Sequence, residues 1–291
     1  MLVVLFILVC LPLAQSKNIT YQGITEPNSI VHTQEFYSYA LDRINQKKLP
    51  LDKIYYNQTS RGKGVKVYVI DTGINTNSFY NFTCGYNFIH NNQNCSTTAI
   101  HATHVGSLIK SKEFGIAHQS TLINLKVLGD NGAGYIEDVI RALDYILINN
   151  ITCSIVNLSL GGEYSRILNL KIKEVVKSGN KVIVAAGNYA SNACDYSPSS
   201  SKWAITVGAI TQYDQKAQFS NRGPCINIYS PGVDIIGAIG DSEVRYLSGT
   251  SMSTPFISGL QAIRIEQKGC NAKIYKYKIK KKFKIGYIKD V

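Results

Sequence analysis

Along the middle of the chain, short apolar runs of strand length alternate with stretches whose apolar residues recur at helical spacing. Five runs are rich in β-branched residues, at 65–70, 121–127, 154–160, 181–185 and 203–209. Helical patterns cover 135–149 and 165–178 between them. Buried strands that alternate with helices predict an α/β fold. We expect a three-layer, doubly wound, mostly parallel sheet with helices on both faces.

The two ends of the chain differ from this middle part. Residues 1–13 are apolar and uncharged, and Ala14-Gln15-Ser16 is a small-x-small pattern that a signal peptidase accepts. This predicts a signal peptide over 1–16, with an uncleaved anchor as the alternative. No later stretch is long and apolar enough to span a bilayer. We expect a secreted or endomembrane-lumenal protein, with a short extension or remnant pro-region at 17–36 and a main domain at 37–270.

The formal net charge of +12 comes largely from eight Lys between 273 and 289. A solvated Lys-rich tail over 271–291 is the favoured interpretation, and binding to nucleic acid or another acidic surface is the alternative. Because a secreted protein does not normally meet nucleic acid, we expect no nucleic-acid partner.

Six cysteines follow the signal sequence, and an even number in a secreted chain favours disulfides over free thiols. Their spacing is unlike that of paired CxxC zinc ligands, so we expect no metal site there. Glycosylation triplets fit secretion, and they start at Asn18, Asn57, Asn81, Asn94 and Asn150. A further triplet starts at Asn157, where we expect no glycan because it lies in an inner strand.

A serine in the segment 249–255 (Gly-Thr-Ser-Met-Ser-Thr-Pro) is a candidate nucleophile. Small residues precede Ser251 and Pro255 follows it, as at the start of a helix whose first turns tolerate proline. There the Ser251 N–H would face outward at the positive end of the helix dipole. A hydroxyl is a weak nucleophile without a base, so other groups must activate it.

Candidate partners follow the predicted strands. Asp71 comes directly after an apolar run and could orient a base, or could only cap a turn. His101 and His104 lie three apart on a predicted helix without the Glu of a zinc-binding HExxH, and His104 fits a buried structural histidine. Asn188 ends the run 184–187 and could donate to an oxyanion, or could form only an Asn turn.

Taken together, these segments resemble the subtilase family of serine proteases, most closely its proteinase-K-like branch. The resemblance covers about residues 39–259 and the order Asp…His…Ser is that of subtilisin. It is carried by the segments 71–74, 101–105, 159–162, 186–188, 219–223 and 249–255.

The resemblance implies a role for each matching residue. Ser251 would be the nucleophile, His101 the general base and then acid, and Asp71 the residue that orients His101. Asn188 and the Ser251 N–H would bind the oxyanion. The substrate would pair with an edge strand at Gly132, Ala133 and Gly134, and its side chain would enter a pocket lined by Ser159, Leu160, Gly161, Ala185, Ala186 and Gly187.

The resemblance also bears on disulfides and metal. It implies a Cys194–Cys225 disulfide; Cys84 and Cys95, close in sequence, are the next expected pair, and Cys153 and Cys270 are left unassigned. No cofactor is required for the chemistry. Calcium is common in this branch, but the position of its usual carboxylate ligand matches Asn227, a poorer ligand for Ca²⁺.

Two features depart from the family. The usual glycines on either side of the first histidine are replaced by Ile100 and Ala102, which predicts local repacking. The region 17–36 is too short for a folded pro-domain. The leading hypothesis is a monomeric secreted endopeptidase that acts on polypeptides. The alternatives are a catalytically silent subtilase-like protein that binds peptides or a partner, and a basic surface-binding protein.

Overall fold

The computed structural model describes residues 18–21, 24–27, 38–53, 59–76, 79–274, 276–279 and 283–287. The expected signal peptide and most of the expected extension at 17–36 lie outside the described residues. The chain divides into two units, residues 1–36 and 37–291. Within the first unit, strands β1 (Asn18–Tyr21) and β2 (Ile24–Pro27) pair in antiparallel fashion.

The second unit follows the predicted alternation of strands and helices. Its helices are α1 (Tyr39–Asn45), α2 (His101–Lys110), α3 (Ile136–Ile148), α4 (Arg166–Lys177) and α5 (Thr250–Lys268). Its strands are β3 (Lys66–Asp71), β4 (Thr83–Asn87), β5 (Thr121–Lys126), β6 (Ile155–Leu158), β7 (Gly162–Glu163), β8 (Lys181–Ala185), β9 (Tyr196–Ser197), β10 (Ile205–Ile210), β11 (Ile228–Pro231), β12 (Ile235–Ala238), β13 (Val244–Leu247), β14 (Lys276–Ile279) and β15 (Phe283–Gly286). All five strands and both helices predicted from the pattern are present, with ends within two residues of the prediction.

Among the described residues, nine strands form one sheet in the order β14-β15-β11-β10-β8-β6-β3-β5-β4. Every neighbouring pair is parallel except β14 with β15. Because the strands are parallel, the ends of β3, β6 and β8 lie at the same edge of the sheet. Asp71, Ser159 and Asn188 lie in or just after these strand ends.

Both faces of the sheet are buried, which explains why the strands read as continuous apolar runs. On β3, Val67 and Val69 point into one core together with α2 and α5. Tyr68 and Ile70 point into the other core, which contains α3 and α4. The predicted three-layer α/β fold is therefore confirmed.

The Lys-rich segment 271–291 differs from the expected solvated tail. Its described part forms the hairpin β14–β15, and β15 adds to the main sheet beside β11, with Ile285 opposite Tyr229. Ile285 is buried, and Gly286 lies against Ile257 and Leu260 of α5. Apolar residues in alternation with lysines thus allow one side of β15 to join the core while Lys284 stays in solvent.

Candidate active site

Asp71 is the last residue of β3, and its side chain is fully buried. Its Oδ1 atom accepts hydrogen bonds from the Thr72 backbone N–H and from Nδ1 of His101, each at 2.7 Å. A buried strand end gives the carboxylate little freedom to move. It is therefore suited to holding the imidazole ring in one orientation.

His101 is the first residue of α2, and its side chain is one-third exposed. Since Asp71 accepts the hydrogen of Nδ1, the Nε2 atom is left to accept a proton. Burial lowers the pKa of His101, but the charge and hydrogen bond of Asp71 outweigh it, and the net pKa is raised above the ordinary 6.5. The side chains at Ile100 and Ala102 do not separate His101 from Asp71.

His104 lies one turn further along the same helix and is fully buried. Its Nε2 atom lies 3.0 Å from the Ile235 carbonyl oxygen and 3.1 Å from that of Arg245. Burial lowers the pKa of His104 to about 4, so the ring is neutral at physiological pH. His104 therefore ties α2 to the β12–β13 pair, as expected of a structural histidine.

Ser251 is the second residue of α5, where the backbone N–H has no partner within the helix. The Ser251 hydroxyl donates a hydrogen bond of 2.9 Å to the Ser159 carbonyl oxygen. The Ser159 hydroxyl in turn donates to the Ser251 carbonyl oxygen at 3.0 Å. Because a hydroxyl has a single hydrogen, Ser251 must turn away from Ser159 before it can donate to His101.

The side chain of Asn188 is oriented by the start of the same helix. Its Oδ1 atom accepts from both the backbone N–H and the hydroxyl of Thr250, each at 2.9 Å. These two donors fix the amide orientation, and the Nδ2 group is then left to donate to another atom. Asn188 and the Ser251 N–H can therefore act as a pair of donors at one place.

Two hollows that share the lining residues Leu160, Gly161 and Gly162 lie beside these residues. The larger, about 450 Å³, includes His101, the segment 132–134 on one wall and the segment 159–162 on the other. The smaller, about 170 Å³, lies between the segments 160–162 and 185–189 and reaches Ser251. All the residues expected to bind substrate line one or both: Gly132, Ala133, Gly134, Ser159, Leu160, Gly161, Ala185, Ala186 and Gly187.

Comparison with known proteins shows the family to which the chain belongs. The model of the Subtilase family matches residues 62–280, about three quarters of the chain. The chain belongs to the subtilase family. A crystal structure of a cold-adapted subtilisin-like serine proteinase is 32% identical and superposes with a TM-score of 0.81, covering 87% of this chain and 98% of that one.

Curated relatives agree with the family match. Alkaline serine exoprotease A of Vibrio alginolyticus is 37% identical over 79% of this chain and 43% of its own length. Extracellular serine proteinase of a Thermus species is 36% identical over 87% of this chain and 63% of its own length. This subtilase therefore spans about half the length of the relatives it matches first.

The resemblance implies that the segment Gly132–Gly134 pairs with the substrate as an edge strand, and among the described residues no strand of the chain pairs with it. The segment continues from a turn in which the Gly129 N–H donates a hydrogen bond of 2.8 Å to the Ala133 carbonyl oxygen. An edge strand needs a partner, and here the partner would be the substrate. The segment still forms the wall of the larger hollow.

Several residues of the site were not predicted from the sequence. Thr250 orients Asn188, and Tyr189 and Tyr196 stack at 5.1 Å beside the smaller hollow. Apolar side chains also line the larger hollow: Leu128, Tyr135, Ile136, Val139 and Leu168. Adjacency gave a signal for Tyr189, which directly follows Asn188. Thr250 directly precedes Ser251 and Tyr135 directly follows Gly134, but their parts in the site depend on contacts that only the fold shows.

The six cysteines form three disulfides. The structure joins Cys84 to Cys95 and Cys194 to Cys225, the two expected pairs, and it also joins the unassigned Cys153 and Cys270.

Asn227, at the position of the family's calcium-binding carboxylate, does not fit a calcium site. Its amide oxygen accepts a hydrogen bond of 2.7 Å from the Thr206 N–H. A neutral oxygen that is already engaged is a poor ligand for Ca²⁺. Among the described residues, no group of three or more His, Cys, Asp or Glu could hold a metal ion.

Within the described parts of the chain, none of the helices combines the length and apolar character that crossing a bilayer requires.

Proposed function

We propose that this subtilase is a serine endopeptidase that hydrolyses peptide bonds through an acyl-enzyme, with Ser251 as the nucleophile. The observation that carries the proposal is the 2.7 Å hydrogen bond between buried Asp71 and His101 at the cleft that holds Ser251. A base held in one tautomer beside a hydroxyl at a helix start is the arrangement that activates serine.

The reaction begins when Ser251 turns from Ser159 towards His101. His101 Nε2 takes the hydroxyl proton as the Ser251 oxygen bonds to the substrate carbonyl carbon. The carbonyl oxygen becomes an oxyanion, and the Asn188 Nδ2 and Ser251 N–H groups stabilise it. His101 then gives its proton to the leaving amine as the peptide bond breaks. Water, deprotonated by His101, releases the acyl group and restores Ser251.

The substrate is a polypeptide bound in extended form. The backbone of 132–134 would pair with the substrate main chain, which demands little of its sequence. The side chain before the cleaved bond would enter the hollow lined by Ala185, Ala186 and Gly187. These small residues leave room for an apolar side chain, so we propose broad specificity that leans towards apolar residues. The reaction requires no cofactor.

We propose that the enzyme works outside the cell or in an endomembrane lumen, as a monomer. Three disulfides support an oxidising compartment. The Thermus relative carries the word extracellular in its name.

Hydrolysis of a denatured protein and of peptide p-nitroanilides tests the proposal. We expect the wild-type protein to cleave both substrates. Cleavage of either substrate by Ser251→Ala should be at least about a thousandfold slower. Ser248→Ala is the matched control, because Ser248 is exposed three residues earlier and donates to Asp234 instead of lining the cleft. Folded wild type without turnover would favour the alternative, a catalytically silent subtilase that binds peptides.

A further inference from the structure

All residues of the segment 130–135 are exposed, although the segment forms one wall of the cleft. The turn that closes at Gly129 and Ala133 gives the segment its local shape. A turn does not fix the position of the whole segment relative to His101. A wall that pairs with substrate needs such a fixed position, because misplacement of about 1 Å can cost a hundredfold in rate.

Asp130 lies in this turn and makes four contacts with residues outside it. The hydroxyls of Thr97 and Thr98 donate to its two carboxylate oxygens, at 2.6 and 2.9 Å. The Thr98 backbone N–H donates at 3.0 Å, and the Lys126 ammonium lies 3.0 Å from Oδ1. Together these contacts hold the pKa of Asp130 well below its usual range, with the Thr97 hydrogen bond the largest cause.

The partners of Asp130 belong to the loop that leads into His101 and to the end of β5. Thr97 and Thr98 precede His101 by only a few residues, and the Thr97 hydroxyl also accepts from the Ala99 N–H at 3.1 Å. Lys126 ends β5 next to Asp71 of β3, and its side chain is only 3% exposed. A buried ammonium is costly without an anion, so Lys126 anchors the carboxylate to the sheet.

We infer that Asp130 is a positioning residue that fixes the substrate-binding segment 132–134 relative to the loop that leads into His101. This rests on the proposed function, since it assigns the segment a substrate. Asp130 is about half exposed and lines neither hollow, so its effect on substrate passes through the segment. Its loss should weaken binding of extended substrates and leave the chemistry at Ser251 intact.

The test compares a long and a short substrate. A tetrapeptide p-nitroanilide reaches the segment 132–134, whereas a single acylated amino-acid ester reaches only the pocket beside Ser251. For Asp130→Asn we expect KM for the tetrapeptide to rise about tenfold and kcat/KM for the ester to stay within twofold. Asp144→Asn is the matched control, because Asp144 has similar exposure and pairs with Lys171 away from the cleft.

Two results would overturn the inference. One is an Asp130→Asn enzyme whose preference for the long substrate equals that of wild type and Asp144→Asn. The other is an equal loss on both substrates, which would place the effect in the triad or in the whole fold. If Asp130→Asn does not fold, the same comparison of the long and the short substrate is made with Thr98→Val. This variant removes one hydroxyl that donates to Asp130.

A binding measurement separates this inference from the proposed function. In the Ser251→Ala background, a tetrapeptide should bind about tenfold more weakly once Asp130→Asn is added, and Asp144→Asn should change nothing. Wild type without any turnover would defeat the proposed hydrolysis, and the binding result would still decide the role of Asp130. Equal tetrapeptide affinity with and without Asp130→Asn would refute the positioning role.

Discussion

Ser251 shares two hydrogen bonds with Ser159, and His101 shares one with Asp71. The residue types of this site could be predicted because each comes at a strand end or a helix start with a recognisable neighbourhood. The orientation of the Ser251 hydroxyl could not be predicted, since it depends on a carbonyl 92 residues away in sequence. The same holds for Thr250, whose contact with Asn188 spans 62 residues.

The raised pKa of His101 gives a prediction for pH dependence. The imidazole must be neutral to accept the Ser251 proton, so kcat/KM should fall as pH drops through the pKa of His101. Because that pKa is raised, we expect the midpoint above 6.5. In Asp71→Asn only burial, which lowers the pKa, would remain, so the midpoint should move to lower pH while kcat falls about 10⁴-fold.

A pH–rate profile of both proteins checks this. The His104→Gln profile serves as a control, because His104 is neutral in this range and its loss should leave the midpoint in place. An unmoved midpoint in Asp71→Asn would show that another group limits the rate.

Among the secondary-structure elements, helix α5 is unusual because it contains a proline, which is visible in the sequence. Pro255 has no N–H, so the carbonyl of Ser251 lacks the donor that an unbroken helix would supply. The Ser159 hydroxyl fills this place, and Asn157 of β6 donates to Ser159 at 3.0 Å. Asn157 itself is buried and accepts from Ser258 of α5 at 2.8 Å. The strand is thus joined to the helix at two turns.

We therefore expect the effects of substituting Ser159 and Pro255 on the free energy of unfolding to be coupled. Ser159→Ala should lower the free energy of unfolding by about 1–3 kcal/mol, because the Ser251 carbonyl loses its donor. In Pro255→Ala, residue 255 has an N–H that can donate to the Ser251 carbonyl. In this background Ser159→Ala should therefore lower the free energy of unfolding by about 1 kcal/mol less.

Urea unfolding of the four proteins with neither, either or both substitutions measures this coupling as a double-mutant cycle. All four carry Ser251→Ala to prevent self-cleavage. Additive effects of the two substitutions would mean that Ser159 does not replace the missing helix hydrogen bond.

Among the described residues, five of the nine strands of the main sheet and two of the helices beside it could be predicted from period and composition. The strands β3, β5, β6, β8 and β10 and the helices α3 and α4 have strong patterns, and each is buried on the side the pattern indicates. The hairpin β14–β15 was missed because its lysines dominate the composition of 271–291 while its alternation is short. The resemblance implies an edge strand at 132–134 whose partner is the substrate, and among the described residues this wall has no strand partner.

At the scale of the whole molecule, the disulfides differ in the length of chain they close. Cys153–Cys270 joins the segment just before β6 to the segment just after α5 and spans 117 residues, whereas Cys84–Cys95 spans 11. The cysteine count predicted disulfides, but the fold was needed to bring Cys153 and Cys270 together.

The lengths of the loops that the disulfides close predict that removing each disulfide lowers the free energy of unfolding by a different amount. Replacing both Cys153 and Cys270 by Ala should lower the free energy of unfolding by about 4–5 kcal/mol, because the unfolded chain gains the most freedom. Replacing Cys84 and Cys95 should cost about 3 kcal/mol or less. Urea unfolding in the Ser251→Ala background compares the two. An equal or reversed order would show that native-state contacts, and not loop closure, set the cost.

We propose that Ser251 is a nucleophile activated by His101. A fluorophosphonate probe reacts covalently with such a serine, and mass spectrometry of the digested protein locates the label. We expect one label in folded wild type, on Ser251, and none in Ser251→Ala or His101→Ala, while Ser248→Ala labels as wild type does. Folded wild type that stays unlabelled, or that carries the label on another residue, would show that Ser251 is not the activated nucleophile.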